Sequence, residues 1–334
     1  MREPRLNPVD QDTWHHCYNH STCTSEEYPF GEVEREKFAD TLTGSLALFA
    51  IDAVAYSVMS NHYHALLRTR SEPVSEEEAI RRYAAYYPKR APLVAGSKKC
   101  RRWQEKMNNL SDFMKHVQQN FSRWYNKTRK AKRKGAVWGQ RYKNTLIESG
   151  ASVLRCCLYV EANPLRAGLV KRVDERTQTS CSQWFADGEH PLAGPVEQVL
   201  LPLMQEVMRV GTMDELKEAL HAELVARQRK MAMDAGTAVG EEAVAADAVS
   251  AESAGTEESG AGADAEKSAG TMDLGCRMRC WTDGLVIGSE KFVREMMSKA
   301  RGIPVDSGHA LMRIETGAGQ DDPYAWRRLR ASGD

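Results

Sequence analysis

Apolar residues recur at helical and strand spacing along the first 170 residues and predict alternating helices and strands. Phe38, Leu42, Leu46 and Phe49 recur every three to four residues, which is the pattern of an amphipathic helix. The predicted elements, in chain order, are a strand at 13–19, a helix at 32–49, strands at 52–59 and 63–68, a helix at 112–129, a strand at 141–148 and a helix at 151–162. This order predicts an α+β fold with an antiparallel sheet.

The rest of the chain divides into three stretches of different composition. Apolar residues at helical spacing predict two amphipathic helices within a helical extension, 191–230. Residues 235–270 contain no aromatic residue, Leu or Ile, so they cannot bury enough surface to offset the entropy of ordering. We therefore predict a disordered acidic linker at 231–272, followed by a small C-terminal region, 273–334. That region either binds DNA or packs against the main body, 1–190.

Charge is distributed unevenly along a chain that is neutral as a whole. The 334 residues include 46 Lys and Arg and 46 Asp and Glu. Residues 98–143 carry 15 Lys and Arg against two acidic residues, a net charge of +13, whereas residues 231–272 carry one Lys against nine acidic residues, a net charge of −8. The cationic stretch predicts a surface that binds a polyanion.

Composition also excludes several classes of protein. No run of 18 apolar residues occurs, so neither a transmembrane helix nor a membrane partner is predicted. The first eight residues, MREPRLNP, lack the apolar core of a signal peptide. The eight cysteines are sparse and form no CxxC motif, which indicates reduced thiols in a cytoplasmic protein rather than a disulfide framework or zinc ribbon.

Two histidines in the second predicted hairpin strand form the first candidate site. Residues two apart on a strand share a face, so His62 and His64 would project side by side. Two imidazoles in that arrangement can bind one divalent metal ion. The alternative is that both are ordinary strand histidines without a ligand.

A tyrosine and an asparagine four residues apart form the second candidate site. Tyr159 and Asn163 would lie on the same face of the predicted helix, where a phenol and a metal-binding amide would be neighbours. In the alternative interpretation, Tyr159 packs in the core and Asn163 caps the helix before Pro164.

Aromatic and basic residues are interleaved in the segment after the Lys/Arg cluster, and they form the third candidate site. Cations neutralise phosphates and aromatic rings stack on unpaired bases, so this composition suits a nucleic-acid groove. The alternative is a solvated basic loop followed by a strand whose Trp138 belongs to the core. The candidate DNA-binding residues are Lys127, Arg129, Lys130, Lys132, Arg133, Lys134, Trp138, Arg141 and Lys143.

Together these segments resemble the single-tyrosine HUH transposases, in which two histidines flank a bulky apolar residue. Residues 59–67, MSNHYHALL, resemble that family's MPNHxHLLL segment, with Ser60 in place of the proline and Tyr63 between the histidines. Residues 135–143, GAVWGQRYK, resemble its GxxWxxRFK-like segment. Residues 158–170, LYVEANPLRAGLV, are similar to the YIxxNPVRAGLV segment of the branch called REP-associated tyrosine transposases. The resemblance covers roughly residues 1–190.

The resemblance implies a fold and a set of site residues. The fold would be a ferredoxin-like or RRM-like antiparallel sheet with helices on one face, the HUH nuclease fold. Tyr159 would be the nucleophile, and His62, His64 and Asn163 would bind Mg²⁺ or Mn²⁺. A phenol with a pKa near 10 needs help to ionise, which either the metal or a nearby base would supply, and Glu148 and Glu161 are the candidate bases.

The resemblance also implies an activity on DNA. The chain would nick and rejoin single-stranded DNA beside a hairpin, through a 5′-phosphotyrosine intermediate and without a nucleotide cofactor. It would work as a monomer in the cytoplasm, associated with the nucleoid. A catalytically silent module that binds hairpins is the main alternative. A zinc hydrolase is a weaker one, because no HExxH, HxE…PCxxC or acidic cluster accompanies the histidines.

Overall fold

The computed structural model describes residues 8, 10–22, 29–129, 135–248, 281, 284–302, 304–305, 311–313 and 323–327. All seven elements predicted for the first 170 residues are present, with bounds that differ by at most four residues. The strands are β1 (Thr13–His20), β2 (Ile51–Val58), β3 (His62–Thr69), β4 (Lys143–Ile147), β5 (Gly284–Gly288), β6 (Met312–Arg313) and β7 (Tyr324–Arg327). The helices are α1 (Glu32–Ser45), α2 (Glu76–Tyr86), α3 (Lys98–Met107), α4 (Leu110–Thr128), α5 (Ala151–Glu161), α6 (Asn163–Arg166), α7 (Ser180–Asp187), α8 (Ala193–Pro195), α9 (Leu201–Met208), α10 (Met213–Ala248) and α11 (Glu290–Arg301). A π-helical turn, Val196–Leu200, joins α8 to α9.

The strands form one sheet in the order β2-β3-β1-β4-β5-β7-β6, which confirms the predicted α+β fold. The first four strands pair antiparallel, as predicted, and β5 then pairs parallel with β4. No helix in the described part of the chain is long and apolar enough to cross a bilayer.

Helices cover both faces of the antiparallel part of the sheet. On one face the ring of Tyr63 stacks on Phe38 of α1 at 4.5 Å between centroids, and its hydroxyl accepts a hydrogen bond from Gln118 of α4. The next residue, His64, points to the other face and meets Tyr159 of α5. The prediction of helices on one face therefore holds for α1 and α4 but not for α5, which covers the second face. Both sides of β3 are buried as a result.

Two helices between β3 and α4 were not predicted, although the sequence contains their N-terminal caps. Ser75 accepts a hydrogen bond from the backbone N–H of Glu78 at the start of α2, and Ser97 accepts one from that of Cys100 at the start of α3. A serine three residues before a glutamate is a common helix start. Apolar residues follow both caps at helical spacing, so the pattern of hydrophobic positions could also have indicated these helices.

The C-terminal third differs from its prediction in one respect. Helix α10 continues to Ala248, so residues 231–248 of the predicted disordered linker are helical; their alanine content favours a helix even without a large apolar face. The rest of that linker lies outside the described residues. The small C-terminal region packs against the main body, one of its two predicted alternatives, since Ile287 of β5 pairs with Ile147 of β4 and satisfies the backbone groups of that edge.

A buried histidine lies on the face of β1 that is turned away from α5. His15 Nε2 is 2.8 Å from Thr13 Oγ1 and 3.2 Å from Thr69 Oγ1, and Asn144 Nδ2 donates to its Nδ1. Burial lowers the pKa of His15 to about 3. The imidazole is therefore neutral in the folded protein at neutral pH.

We expect Gly288→Ala to loosen the contact between the C-terminal region and β4. A Cβ at Gly288 would lie 2.5 Å from Glu148 Cβ and 2.7 Å from Phe292 Cδ1, so the two segments would have to separate. The expected cost is about 1–3 kcal/mol. Hydrogen exchange measures it, because the amide of Glu148, which now donates to the carbonyl of Ile287, would lose protection.

The matched control for this substitution is Gly44→Ala. Gly44 lies in the last turn of α1, where an added Cβ meets nothing within 4 Å. Alanine there is expected to leave stability unchanged or raise it by up to about 1 kcal/mol. Equal protection of Glu148 in the wild type and in Gly288→Ala would contradict the proposed steric contact.

We expect His15 to make folding sensitive to acid. The pKa of the ring is about 3 in the folded chain against 6.5 for an unperturbed histidine, so the unfolded state binds the proton more readily between those values. The contribution of neutral His15 to the free energy of unfolding is therefore fully present above pH 6.5, and it decreases as the pH falls below that value. Replacing His15 by Gln should remove about 1.4 kcal/mol of the fall in unfolding free energy between pH 7.5 and pH 5.5, an average slope of about 0.7 kcal/mol per pH unit. Urea denaturation at pH 7.5 and 5.5 measures that slope (both about one unit from 6.5), and parallel slopes would count against the assignment.

Candidate active site

The antiparallel pairing of β1 with β3 brings a set of polar aromatic side chains onto one face of the sheet. In this register Tyr18 is the partner of His64, and His20 is the partner of His62. His16 lies two residues before Tyr18 on the same face. The face that α5 covers therefore presents four imidazoles and one phenol within two adjacent strands.

The two histidines predicted as metal ligands are neighbours, as the strand pattern required. Their ring centroids lie 5.1 Å apart with the rings perpendicular. His62 Nδ1 is 2.6 Å from Asn61 Oδ1, and His64 Nδ1 is 2.9 Å from His16 Nε2. Both contacts use Nδ1, which leaves Nε2 of each ring for a ligand.

Helix α5 places the predicted nucleophile against this face. The ring of Tyr159 makes edge contacts with both His16 and His64, each at 5.5 Å between centroids. Only 5 % of Tyr159 is exposed, and the indole of Trp281 stacks on it at 5.6 Å between centroids. The structure thus brings Tyr159 together with the histidines that sequence spacing alone could not connect to it.

The electrostatics of the site keep its imidazoles neutral. Burial lowers the pKa of His16 and of His62 to about 4, and it lowers the pKa of His64 well below the usual value. The nearby guanidinium of Arg166 adds to the effect on His62 and His64, and it lies 5.0 Å from the centre of the Tyr159 ring. A neutral imidazole retains the lone pair that a metal ion needs.

Asn163 has a structural role at the end of α5. Its side-chain amide donates to the carbonyls of Tyr159 and Val160, at 3.0 and 3.2 Å, so it caps the helix as the alternative interpretation proposed. Its Oδ1 accepts from Arg166 at 3.4 Å. The hydrogen bonds of Asn163 therefore go to the last turn of α5 and to Arg166, and only Oδ1 remains a candidate ligand atom.

The donor set fits a divalent metal ion only in part. Two neutral imidazoles with available Nε2 atoms suit a transition metal such as Mn²⁺ better than Mg²⁺, which prefers oxygen ligands. Within the described residues, no group of three or more His, Cys, Asp or Glu side chains is arranged to hold a metal ion. His62 and His64 would thus be two protein ligands of a site that leaves its other positions open.

The predicted DNA-binding residues are divided between different surfaces. Lys143 lies on the histidine face, where its Nζ is 5.4 Å from the centre of the Tyr18 ring. Arg141 is exposed and lines an open groove of about 760 Å³ along α4, together with Lys115 and Arg123. The exposed Lys127 lies near the end of α4. Four further candidates lie outside the described residues: Lys130, Lys132, Arg133 and Lys134.

Two other predicted DNA-binding residues, Trp138 and Arg129, have structural contacts that compete with DNA binding. The indole of Trp138 packs on Phe38 and Tyr63, at 5.4 and 5.3 Å between centroids, so its faces belong largely to the core. Arg129 forms an ion pair with Glu34 at 2.8 Å and stacks on Tyr125. The alternative core interpretation of Trp138 accounts for its packing, and its contact with DNA remains a prediction.

Both candidate bases accept hydrogen bonds that join secondary-structure elements. The carboxylate of Glu148 accepts hydrogen bonds from the backbone N–H and the hydroxyl of Ser289. Glu161 is buried, accepts from Ser180 and from the backbone N–H of Cys181, and so fixes the start of α7. Burial raises the pKa of Glu161 to about 7. Both carboxylates therefore hold elements together, and neither is assigned as a base.

Three residues of the site were not predicted from the sequence: His16, His20 and Arg166. The first two alternate with Tyr18 along β1, and a polar strand with this alternation indicates a functional face. His20 contacts His62 at 4.8 Å between centroids. Arg166 lies within the NPLRAG part of the third motif, but nothing in the motif alone placed it over the Tyr159 ring.

Comparison with known proteins gives one distant likeness. No protein-family profile and no curated protein matches the chain. A solved structure described as a REP-associated tyrosine transposase bound to a REP hairpin is similar, with a TM-score of 0.38 and 14 % sequence identity, over 57 % of this chain and 90 % of that one. At so low an identity and TM-score, the likeness carries no function over to this chain.

Proposed function

We propose that this protein nicks and rejoins single-stranded DNA beside a hairpin, with Tyr159 as the nucleophile. The observation that carries the proposal is the contact of the Tyr159 ring with His64, next to His62, on one face of the sheet. The three sequence motifs that resemble single-tyrosine HUH transposases also support it. Two of them, the His62–His64 pair and the Tyr159 helix, are in contact in the fold.

The reaction is a transesterification that needs no net energy input. The phenol oxygen of Tyr159 would form a bond to a backbone phosphorus, the bond from that phosphorus to the 3′-oxygen would break, and the phenol proton would leave for solvent or the departing oxygen. The products are a 5′-phosphotyrosine and a free 3′-hydroxyl. Because the covalent link conserves the bond energy, that hydroxyl can reverse the step and rejoin a strand without a nucleotide cofactor.

The side chains around Tyr159 suit this chemistry. A divalent ion held by Nε2 of His62 and His64 would offset negative charge on the scissile phosphate, and Asn163 Oδ1 is the predicted third ligand. The guanidinium of Arg166, 5.0 Å from the centre of the Tyr159 ring, would attract the phosphate. Cations placed where charge develops act most strongly in a buried site.

The basic surfaces would hold the rest of the substrate. Lys143 on the histidine face is placed to bind the single strand near Tyr159, while the groove with Lys115, Arg123 and Arg141 is placed to bind the stem of a hairpin. We assign nicking to the body 1–190, acting as a monomer on nucleoid DNA.

One observation favours the alternative of a silent hairpin-binding module. Tyr159 is 5 % exposed, and the indole of Trp281 stacks on its ring and covers it. A protein that kept the fold for binding alone would tolerate that cover permanently.

The first test of the proposal is the formation of a covalent adduct on Tyr159. The wild type and Tyr159→Phe are incubated with labelled hairpin DNA bearing single-stranded flanks, with Mn²⁺, with Mg²⁺, or with EDTA. In denaturing gels the wild type should transfer the label on the 3′ side of the nick to the protein, only with metal. Tyr159→Phe should form no adduct, because it lacks the attacking oxygen but keeps the ring contacts.

The matched control for Tyr159→Phe is Tyr18→Phe. Tyr18 lies on the same face and contacts His64 at 5.8 Å between centroids, but it belongs to β1 rather than to α5. Tyr18→Phe should still form the adduct. Tight hairpin binding by the wild type with no adduct in either metal would reject the nuclease and favour the silent module.

Salt dependence tests the division of labour between the two basic surfaces. Lys143→Gln should lower the slope of log affinity against log salt by about 0.7 for a single strand, whereas Arg141→Gln should lower it by about 0.9 for a hairpin stem. The control is Arg172→Gln, because Arg172 is exposed and already pairs with Asp174. Unchanged slopes in both variants would contradict these DNA contacts.

A further inference from the structure

The backbone carbonyl of Trp281 lies beside His16 and determines where that ring carries its proton. His16 Nδ1 is 3.0 Å from the carbonyl oxygen, and Thr145 Oγ1 donates to the same oxygen at 3.0 Å. A carbonyl oxygen can only accept a hydrogen bond. His16 Nδ1 must therefore be protonated.

The same reasoning extends from His16 to the candidate metal ligand. His16 and His64 are 0 % and 3 % exposed, and burial disfavours a charged imidazole. With its proton on Nδ1, a neutral His16 presents a lone pair at Nε2, which is 2.9 Å from His64 Nδ1. His64 Nδ1 must then donate, and the lone pair of His64 is left on Nε2.

We propose that His16 is a positioning residue, which the Trp281 carbonyl holds in one tautomer and which thereby keeps Nε2 of His64 ready to bind a metal ion. The assignment deepens the proposed function and rests on it for its biological purpose. Its consequence is that Trp281, far along the chain from the main body, belongs to the active site. Hydrogen bonds to the distal nitrogen of a metal-binding histidine fix both its tautomer and its ring orientation.

The two candidate ligands are oriented by different means. His62 Nδ1 is 2.6 Å from Asn61 Oδ1, so its orienting partner is the preceding residue. His64 depends on a partner 48 residues away, and that partner depends in turn on a carbonyl 265 residues farther along the chain. Removing His16 should therefore disturb His64 while leaving His62 in place.

The first measurement is the tautomer of His64 in the metal-free full-length chain. Long-range ¹H–¹⁵N spectra of protein labelled at histidine distinguish a proton on Nδ1 from one on Nε2. The wild type should show His64 protonated at Nδ1, and His16→Leu should lose that preference because it offers no acceptor. His16→Gln should restore it, since an amide, like a neutral imidazole, presents one donor and one acceptor.

The second measurement is the affinity for Mn²⁺. Electron paramagnetic resonance detects the free ion and so gives the fraction that is bound. His16→Leu should bind about 10–100-fold more weakly, and His16→Gln should recover most of the loss. The matched control is His15→Leu, because His15 is equally buried on the same strand but faces the other side of the sheet. It should leave both the tautomer of His64 and the affinity unchanged.

The outcomes separate this inference from the proposed function. A wild-type His64 protonated at Nε2, or a His16→Leu variant with an unchanged tautomer and unchanged affinity, would overturn the role of His16. If His16→Leu does not fold, the tautomer of His64 in the wild type and the Mn²⁺ affinity of His16→Gln still test the role of His16. If tautomer and affinity respond as expected but Tyr159 forms no DNA adduct, the role of His16 holds and the nuclease activity fails.

Discussion

The antiparallel register of β1 against β3 is the constraint on which the candidate site depends. It sets Tyr18 opposite His64 and His20 opposite His62, so residues far apart in sequence share one face. A slip of one residue would turn every side chain of β1 to the opposite face and separate His16 from His64. Packing enforces the register, because the other face of β3 inserts Tyr63 between α1 and α4.

A second constraint holds α5 at the angle that brings Tyr159 to the histidines. The buried carboxylate of Glu161, at the end of α5, accepts from Ser180 and from the backbone N–H of Cys181, and so joins α5 to the start of α7. A carboxylate at a helix N-terminus is favoured by the helix dipole. The burial that raises the pKa of Glu161 is thus offset by hydrogen bonds that orient the neighbouring helix.

The predictability of this molecule followed the range of the interactions involved. Local periodicity gave the order of the first seven elements, and strand alternation placed His62 beside His64. The prediction that Tyr159 lies in the site came from the resemblance of the motifs to a known family. Residue spacing alone cannot show that a helix packs against a particular strand. The role of His16 was beyond both, since it arises from pairing between strands about 50 residues apart and from a return of the chain at Trp281. Long-range pairing leaves no periodic pattern in sequence.

Trp281 contacts the candidate site in two ways. Its carbonyl accepts a hydrogen bond from His16, the proposed positioning residue, while its indole stacks on the ring of Tyr159, the proposed nucleophile. The two contacts involve different parts of Trp281, the backbone carbonyl and the side chain. An indole can rotate away about its side-chain torsions without moving the backbone carbonyl, which Thr145 also holds. In the proposed reaction, a rotation of the indole would therefore uncover the Tyr159 ring without breaking the hydrogen bond that orients His16.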